Sequence, residues 1–233
     1  MISFIIPTLF KVSRIHQTLQ ELSQCDEVGE IILIDNTTNP SRFQLSNLRN
    51  LTKIKYICEP ENTYVNPAWN KGAQLARFDK MCFLSDDVWF NWNHLKEISK
   101  YITEDNGMIG MSNNNFKTEV ESLNMIPIQP DYINRNRQDS FACCFFMHKK
   151  SYIEIPNEMK IWAGDDWLFY KSRNNYIVDG IKCDGFVSAT SDNLELKPKF
   201  DPVKLNDMMV MKRLISEGKM PNYLIGTYWE NKN

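Results

Sequence analysis

The sequence predicts an α/β fold: a Rossmann-like, mostly parallel sheet flanked by helices, followed by a less regular second half. Three observations carry this. Short β-prone apolar runs alternate with longer segments of helical periodicity across residues 1–111. Most of those runs, ISFIIP, EIILID and MCFL, are close to continuously apolar, as in strands covered on both faces. Acidic residues then recur where such runs end, at Asp35, Asp86 and Asp87, and again at Asp165 and Asp166.

In chain order, ISFIIP at 2–7 reads as the first strand, stopped by Pro7. VSRIHQTLQELSQ follows as a helix, with Val12, Ile15, Leu19 and Leu22 on one face. EIILID at 30–35 and KIKYIC at 53–58 read as buried strands separated by a polar stretch. NPAWNKGAQLAR at 66–77 reads as a helix with Asn66 as N-cap and Pro67 at the first helical position, where a missing N–H is harmless. MCFLS then forms a strand that delivers Asp86 and Asp87. Residues 112–140 are polar and interrupted by proline, which reads as a long loop. SFACCFFMH at 140–148 returns as a β-prone run, and GDDWLFYKSR at 164–173 reads as a helix with acids in its first turn. A last amphipathic helix spans 203–218 and ends at Gly218.

The bulk properties point to one domain over 1–233, since 233 residues at 42% hydrophobic content support one large core. With 27 Lys and Arg against 29 Asp and Glu, the net charge of -2 supplies no global field for nucleic acid or anionic membrane. The six cysteines include no C-x-x-C pair, which fits buried thiols in a reducing compartment and argues against a cysteine zinc site. The N-terminus lacks signal-peptide features, and no apolar run approaches the ~20 residues of a transmembrane helix, so the expectation is a soluble, cytoplasmic protein. Nine glycines, with neither G-x-G-x-x-G nor a P-loop, remove the main support for dinucleotide or P-loop chemistry. His16, His94 and His148 are too scattered for a histidine metal site, and His94 and His148 read as structural. Any metal would rest on oxygen ligands, which favours Mg²⁺ or Mn²⁺.

In an open parallel sheet ligands bind outside the carboxyl ends of the strands, so Asp35 and the Asp86–Asp87 pair should converge. Adjacent carboxylates repel each other, and a cation or hydrogen-bond donors should accompany them. On the residues alone, Asp35–Asn36 also suits the opening of a turn, and Gly164–Asp165–Asp166 the capped start of a helix. Trp89 and Trp92 read as core, and Arg135 and Arg137 as solvated loop positions.

ISFIIPT, EIILIDNTTN, ENTYVNPAWNKGAQLA, FLSDDV and AGDDWLF, in that order and spacing over residues 2–175, resemble the motif series of inverting family 2 type glycosyltransferases with the GT-A fold. The resemblance implies a nucleotide-sugar-binding half over 1–111 and an acceptor-side half over 112–233 that includes the C-terminal helix. It places Pro7 and Thr8 in the nucleotide cleft, Asp35 on the base with Asn36 beside it, and Asn62 and Asn70 along the nucleotide side. Asp86 would face the ribose or sugar, and Asp87 would be the direct ligand of Mn²⁺ or Mg²⁺ in a D-x-D type motif, with Ser85 where many members carry the first aspartate. Asp166 matches the general base, Asp165 would orient it or touch the acceptor, and Trp162 and Trp167 are acceptor-side candidates. The glycine usual after Asn62 is replaced by Thr63, and the later histidine ligand is missing from 185–193, where Ser188, Thr190, Asp192 or water would substitute.

The implied reaction is metal-dependent transfer, with inversion, of a sugar from a nucleotide-sugar donor, UDP-linked by family habit, to an acceptor hydroxyl. The acceptor would be a glycan, a lipid-linked intermediate or a modified nucleic acid such as a hydroxymethylated DNA base. The alternative is a catalytically silent nucleotide-sugar or glycan-binding module on the same fold.

Overall fold

The computed structural model describes residues 1–37, 51–128, 141–185 and 196–221. Arg135, Arg137, Ser188, Thr190 and Asp192 lie outside the described residues.

The strands are β1 (Ile2–Thr8), β2 (Val28–Asp35), β3 (Ile54–Cys58), β4 (Lys80–Leu84), β5 (Val88–Phe90), β6 (Ile109–Met111), β7 (Asn124–Ile128), β8 (Cys144–His148), β9 (Asn175–Asp179) and β10 (Cys183–Gly185). The described helices are α1 (Ile15–Gln24), α2 (Val65–Leu75), α3 (Leu95–Tyr101), α4 (Gly164–Lys171) and α5 (Lys197–Ser216). Among the described residues the main sheet runs β3-β2-β1-β4-β8-β6-β9-β7, while β5 and β10 pair separately. β1 lies parallel to both β2 and β4, and β2 parallel to β3. β8 enters antiparallel between β4 and β6, so the second half joins the parallel half through one reversed strand.

Residue alternation along the strands divides the core between the two faces. Ile5, Ile32, Ile34, Phe83 and Phe145 pack beneath α2, α4 and α5. Phe4, Ile6, Ile31, Leu33 and Leu84 pack beneath α1 and α3. Both faces are covered along β1, β2 and β4, which is why those strands read as continuous apolar runs. KIKYIC differs from the buried strand expected there, because β3 lies at the sheet edge and is only partly covered. On the first face Phe83 and Phe145 stack at 4.5 Å between centroids, with Trp69 edge-on to Phe145 at 5.0 Å. Trp89 and Trp92 sit on the other side. Both indole N–H groups donate to one carboxylate oxygen of Glu21, and Trp92 packs against Phe90 at 4.5 Å.

Several boundaries differ from the sequence reading. α2 begins at Val65, one residue before the anticipated cap, and Asn66 lies buried inside its first turn. Its N–H donates to Lys160 O at 2.9 Å, so Asn66 joins the two halves of the chain and caps nothing. α1 begins at Ile15, which leaves Val12 outside the helix. α5 begins at Lys197 and carries Pro202 within it, which moves its start six residues upstream of the anticipated 203. The stretch at 112–140 is not all loop, because it contains a short 3₁₀ turn at Asn113–Phe116 and edge strand β7. β7 pairs antiparallel to β9 and includes Pro127, which an edge position tolerates because one side needs no ladder donor.

Candidate functional site

The parallel half creates a crevice at the carboxyl ends of β1, β2 and β4. β1 stays paired with β2 as far as Thr8 and Asp35, but pairs with β4 only as far as Ile5 and Phe83. Beyond that point the two strands diverge, and Pro7 falls where no ladder donor toward β4 is required. This is the point where strand order reverses around β1, the usual ligand position in such sheets.

A hydrogen bond spans the crevice: the Thr8 hydroxyl donates to Asp86 Oδ2 at 2.6 Å. Thr8 is buried, and its Oγ1 also accepts from Phe10 N at 2.8 Å. Burial pushes the Asp86 carboxyl up to about 6; the Thr8 bond opposes that rise and the neighbouring Asp87 charge adds to it. Ser85 is fixed by its N–H to Cys143 O at 2.8 Å, and Val88 N closes the turn onto Ser85 O. Asp87 is half-buried beside them. Gly185 on β10 lies against its backbone, where an added Cβ would fall 2.0 Å from the Asp87 carbonyl oxygen.

Asp35 is fully buried at the end of β2. Its Oδ1 accepts from Thr37 N at 2.8 Å and its Oδ2 from the Tyr56 hydroxyl at 2.6 Å. Burial and this bond to Asp35 hold the Tyr56 phenol protonated, well above its usual range. The Asn36 side-chain oxygen takes both the N–H and the hydroxyl of Thr63, at 3.1 and 3.0 Å. Asn62 Oδ1 accepts from Tyr64 N at 2.9 Å, and Tyr64 adopts φ 68° at the entry to α2. The 59–64 segment is therefore tied to the end of β2.

Asn70 has a different environment from the other nucleotide-side candidates. Its Nδ2 donates to Ile155 O at 2.8 Å, while its Oδ1 accepts from Tyr152 OH at 2.8 Å and Ile155 N at 2.9 Å. Its amide pins the 152–157 segment onto α2.

The later acids approach from the second half. Asp165 and Asp166 occupy the first turn of α4, both buried. Gly164 packs so closely on Asn66 that a Cβ there would lie 2.2 Å from the Asn66 side-chain oxygen. The starts of α2 and α4 are thus in contact. Trp162, just ahead of α4, is half-buried, with Lys204 Nζ 5.9 Å from its ring centroid. Trp167 donates its indole N–H to Glu154 O at 3.1 Å and lies under Lys171 at 4.9 Å, so it is anchored in the fold.

Among the described residues no group of three or more His, Cys, Asp or Glu side chains gathers to hold a metal. The donor set still fits a hard divalent ion that completes its sphere from outside the protein. Mg²⁺ commonly takes one or two carboxylates with substrate phosphate and water oxygens, and Asp87 beside Asp86 offers that set.

Sequence reasoning passed over two residues here. Tyr56 was hidden inside a run read only as a strand. Asp207 on α5 is fully buried, and it was hidden in a helix read only as amphipathic. The signal for Asp207 was present, because it falls on the same stripe as buried Phe200, Met211 and Leu214.

Comparison with known proteins agrees with this fold. A search by sequence among curated proteins finds no match. Solved structures of similar fold include S. aureus TarS 1-349, at 18% identity and TM-score 0.58, covering 77% of this chain and 59% of that one. The same fragment in complex with UDP-GlcNAc matches at 16% identity and TM-score 0.58, over 88% of this chain and 66% of that one. Its complex with UDP matches at 14% identity and TM-score 0.57, over 98% and 76%. At such identities the likeness establishes the fold, a GT-A glycosyltransferase architecture. In the first of these matches the chain spans 59% of the TarS 1-349 chain, less than two thirds of it. The family model described as Glycosyl transferase family 2 matches residues 3–156, most of the chain, and the protein belongs to that family.

Proposed function

We propose that this protein transfers a sugar from a UDP-sugar donor to an acceptor hydroxyl with inversion. The observation that carries the reading is the crevice where Thr8 and Asp86 bridge the ends of β1 and β4, with Asp35 buried at the end of β2 alongside. Asp35, aligned by Tyr56, accepts an N–H of the base, and Pro7, Thr8, Asn36 and Asn62 line the nucleotide. Asp86 faces the ribose or sugar. Asn70 shapes that wall indirectly through the 152–157 segment.

Asp166 accepts the proton of the acceptor hydroxyl as that oxygen bonds to the anomeric carbon and the bond to the diphosphate oxygen breaks. Such general base catalysis contributes roughly 10²–10⁴-fold. Asp165 orients the base, and Trp162 and Trp167 lie on the acceptor side. Asp87, with Asp86 beside it, would hold Mn²⁺ or Mg²⁺, which when bound offsets the charge on the departing diphosphate. The acceptor hydroxyl belongs to a glycan or to a hydroxymethylated DNA base.

Thermal unfolding with a panel of nucleotide sugars, each with and without Mn²⁺, tests donor and metal together. Selective stabilisation by UDP-sugars with the ion is expected, followed by release of UDP. Parallel transfer assays on oligosaccharides and hydroxymethylated DNA identify the acceptor. Stabilisation without UDP release under any condition would favour a silent binding module and overturn the proposal.

A further inference from the structure

The turn just ahead of α4, residues 160–162, is held by a residue far along the chain. Asp207 of α5 is fully buried, and its carboxylate accepts three successive backbone N–H groups. Oδ1 takes Lys160 N at 2.8 Å; Oδ2 takes Ile161 N at 2.8 Å and Trp162 N at 3.0 Å. Beside it Asn206 Nδ2 donates to Glu158 O at 2.8 Å. From the opposite side Asn66 of α2 takes hold of the same turn, donating its N–H to Lys160 O at 2.9 Å and its side-chain amide to Trp162 O at 3.5 Å. The N–H groups of the 160–162 turn therefore face α5 while two of its carbonyls face α2.

Packing alone does not account for a carboxylate here. The neighbouring buried positions of α5 are Phe200, Val210, Met211 and Leu214, and an apolar side chain would fill the stripe equally well. Burying a charge is unfavourable unless its oxygens are partnered, and here the partners are the backbone of one turn. Immediately after that turn, Ala163 is buried in the left-handed conformation at φ 63°. A residue with a Cβ persists there only where its surroundings over-determine it. Gly164, Asp165 and Asp166 follow at once.

We infer that Asp207 is a positioning residue for the proposed reaction: it fixes the 160–162 turn and the strained Ala163, and so sets where Asp165 and Asp166 stand in the cleft. The inference rests on the reading of Asp166 as the base. It also gives one position of α5, a helix that lies beyond the 3–156 span of the family match, a part in placing the proposed base.

Asp207→Asn keeps the shape but sets an NH₂ group against at least one of the three backbone donors. The expected variant is folded and binds UDP with an affinity within about 2-fold of wild type, with donor KM unchanged. Its turnover, read as UDP release from the UDP-sugar that wild type uses, falls roughly 10–100-fold, as misplacement of a reacting group by about 1 Å can do. Amide hydrogen exchange across 160–166 accelerates. Arg213→Ala serves as the control, because it removes the Arg213–Glu158 ion pair, another link between α5 and the same segment. It should leave turnover within about 2-fold of wild type.

Unchanged exchange across 160–166 in Asp207→Asn would overturn the inference, as would an equal loss of turnover in Arg213→Ala. UDP affinity that falls in step with turnover would do the same. If wild type releases UDP from no UDP-sugar, the proposed reaction fails separately, and the exchange measurement still decides whether Asp207 holds the turn.

Discussion

Asp87 and Asp166 differ in the steps they are proposed to serve, and substitution separates them. Asp166→Asn removes the proton acceptor, so transfer is expected to fall by about 10²-fold or more while UDP binding stays near wild type. Asp87→Asn is expected to weaken nucleotide binding in the presence of Mn²⁺ and leave metal-free binding almost unchanged. Isothermal titration of both variants with UDP, with and without the ion, checks the pair; equal loss of metal-dependent binding in both would contradict this division. A third carboxylate, Glu30 at the opposite end of β2, shows how a buried acid is stabilised by its partners. Burial works to raise its carboxyl, but the bonds from Ser3, the Arg77 N–H and the Arg77 guanidinium prevail and hold it below its ordinary value of 4.5. A carboxylate with a lowered folded value stabilises the protein above its unfolded value, and that contribution is lost as pH falls through the folded one. Glu30→Gln is therefore expected to be less stable than wild type by about 1–3 kcal/mol at neutral pH, with the gap closing below pH 4.5. Urea unfolding across pH measures it, and a gap that does not narrow in acid would show that Glu30 acts through packing.

Between elements, the decisive contact is where the starts of α2 and α4 meet. Asn66 and Gly164 touch there because glycine has no Cβ to oppose the Asn66 amide. Gly164→Ala would push the α4 turn away from α2. The expected result is a loss of about 1–3 kcal/mol of stability from overpacking, together with a fall in turnover larger than stability alone explains. Thermal unfolding beside steady-state kinetics tests this, and a fully active variant would show that the contact is not needed for Asp166. Gly185 has the same meaning for the β5–β10 pair. At φ 133°, with the Asp87 carbonyl directly against it, it is the residue that lets β10 lie beside the turn carrying Asp87.

For the molecule as a whole, α5 is part of the core. Val210, Met211, Leu214 and Ile215 are buried in the same cluster as Phe83, Phe145 and Trp69. Each fully buried side chain of this kind contributes about 1.5–3 kcal/mol, so a chain ending before Lys197 is expected to lose most of its stability. Differential scanning calorimetry of the full and shortened chains reads this; a shortened chain that melts at the wild-type temperature would make α5 an appendage. No helix among the described residues is long and apolar enough to cross a membrane.

Periodicity and composition by themselves determined the α/β class, the order of the first four strands, and the acids at the ends of β2 and β4 and the start of α4. Continuous apolar runs specify strands buried on both faces, and a strand's end is visible wherever such a run stops. The same logic could not find β7, because Pro127 reads as a breaker and its tolerance depends on an edge position, and it missed the true start of α5 six residues upstream of 203. Only the tertiary structure decided that Asn66 links the two halves, that Asn70 faces the 152–157 segment, that Tyr56 meets Asp35 and that Asp207 grips the turn before Asp165 and Asp166. The physical reason is the same in each case. A buried polar group is satisfied by whichever donor or acceptor the packed elements bring to it, and partners so distant in sequence leave no local pattern.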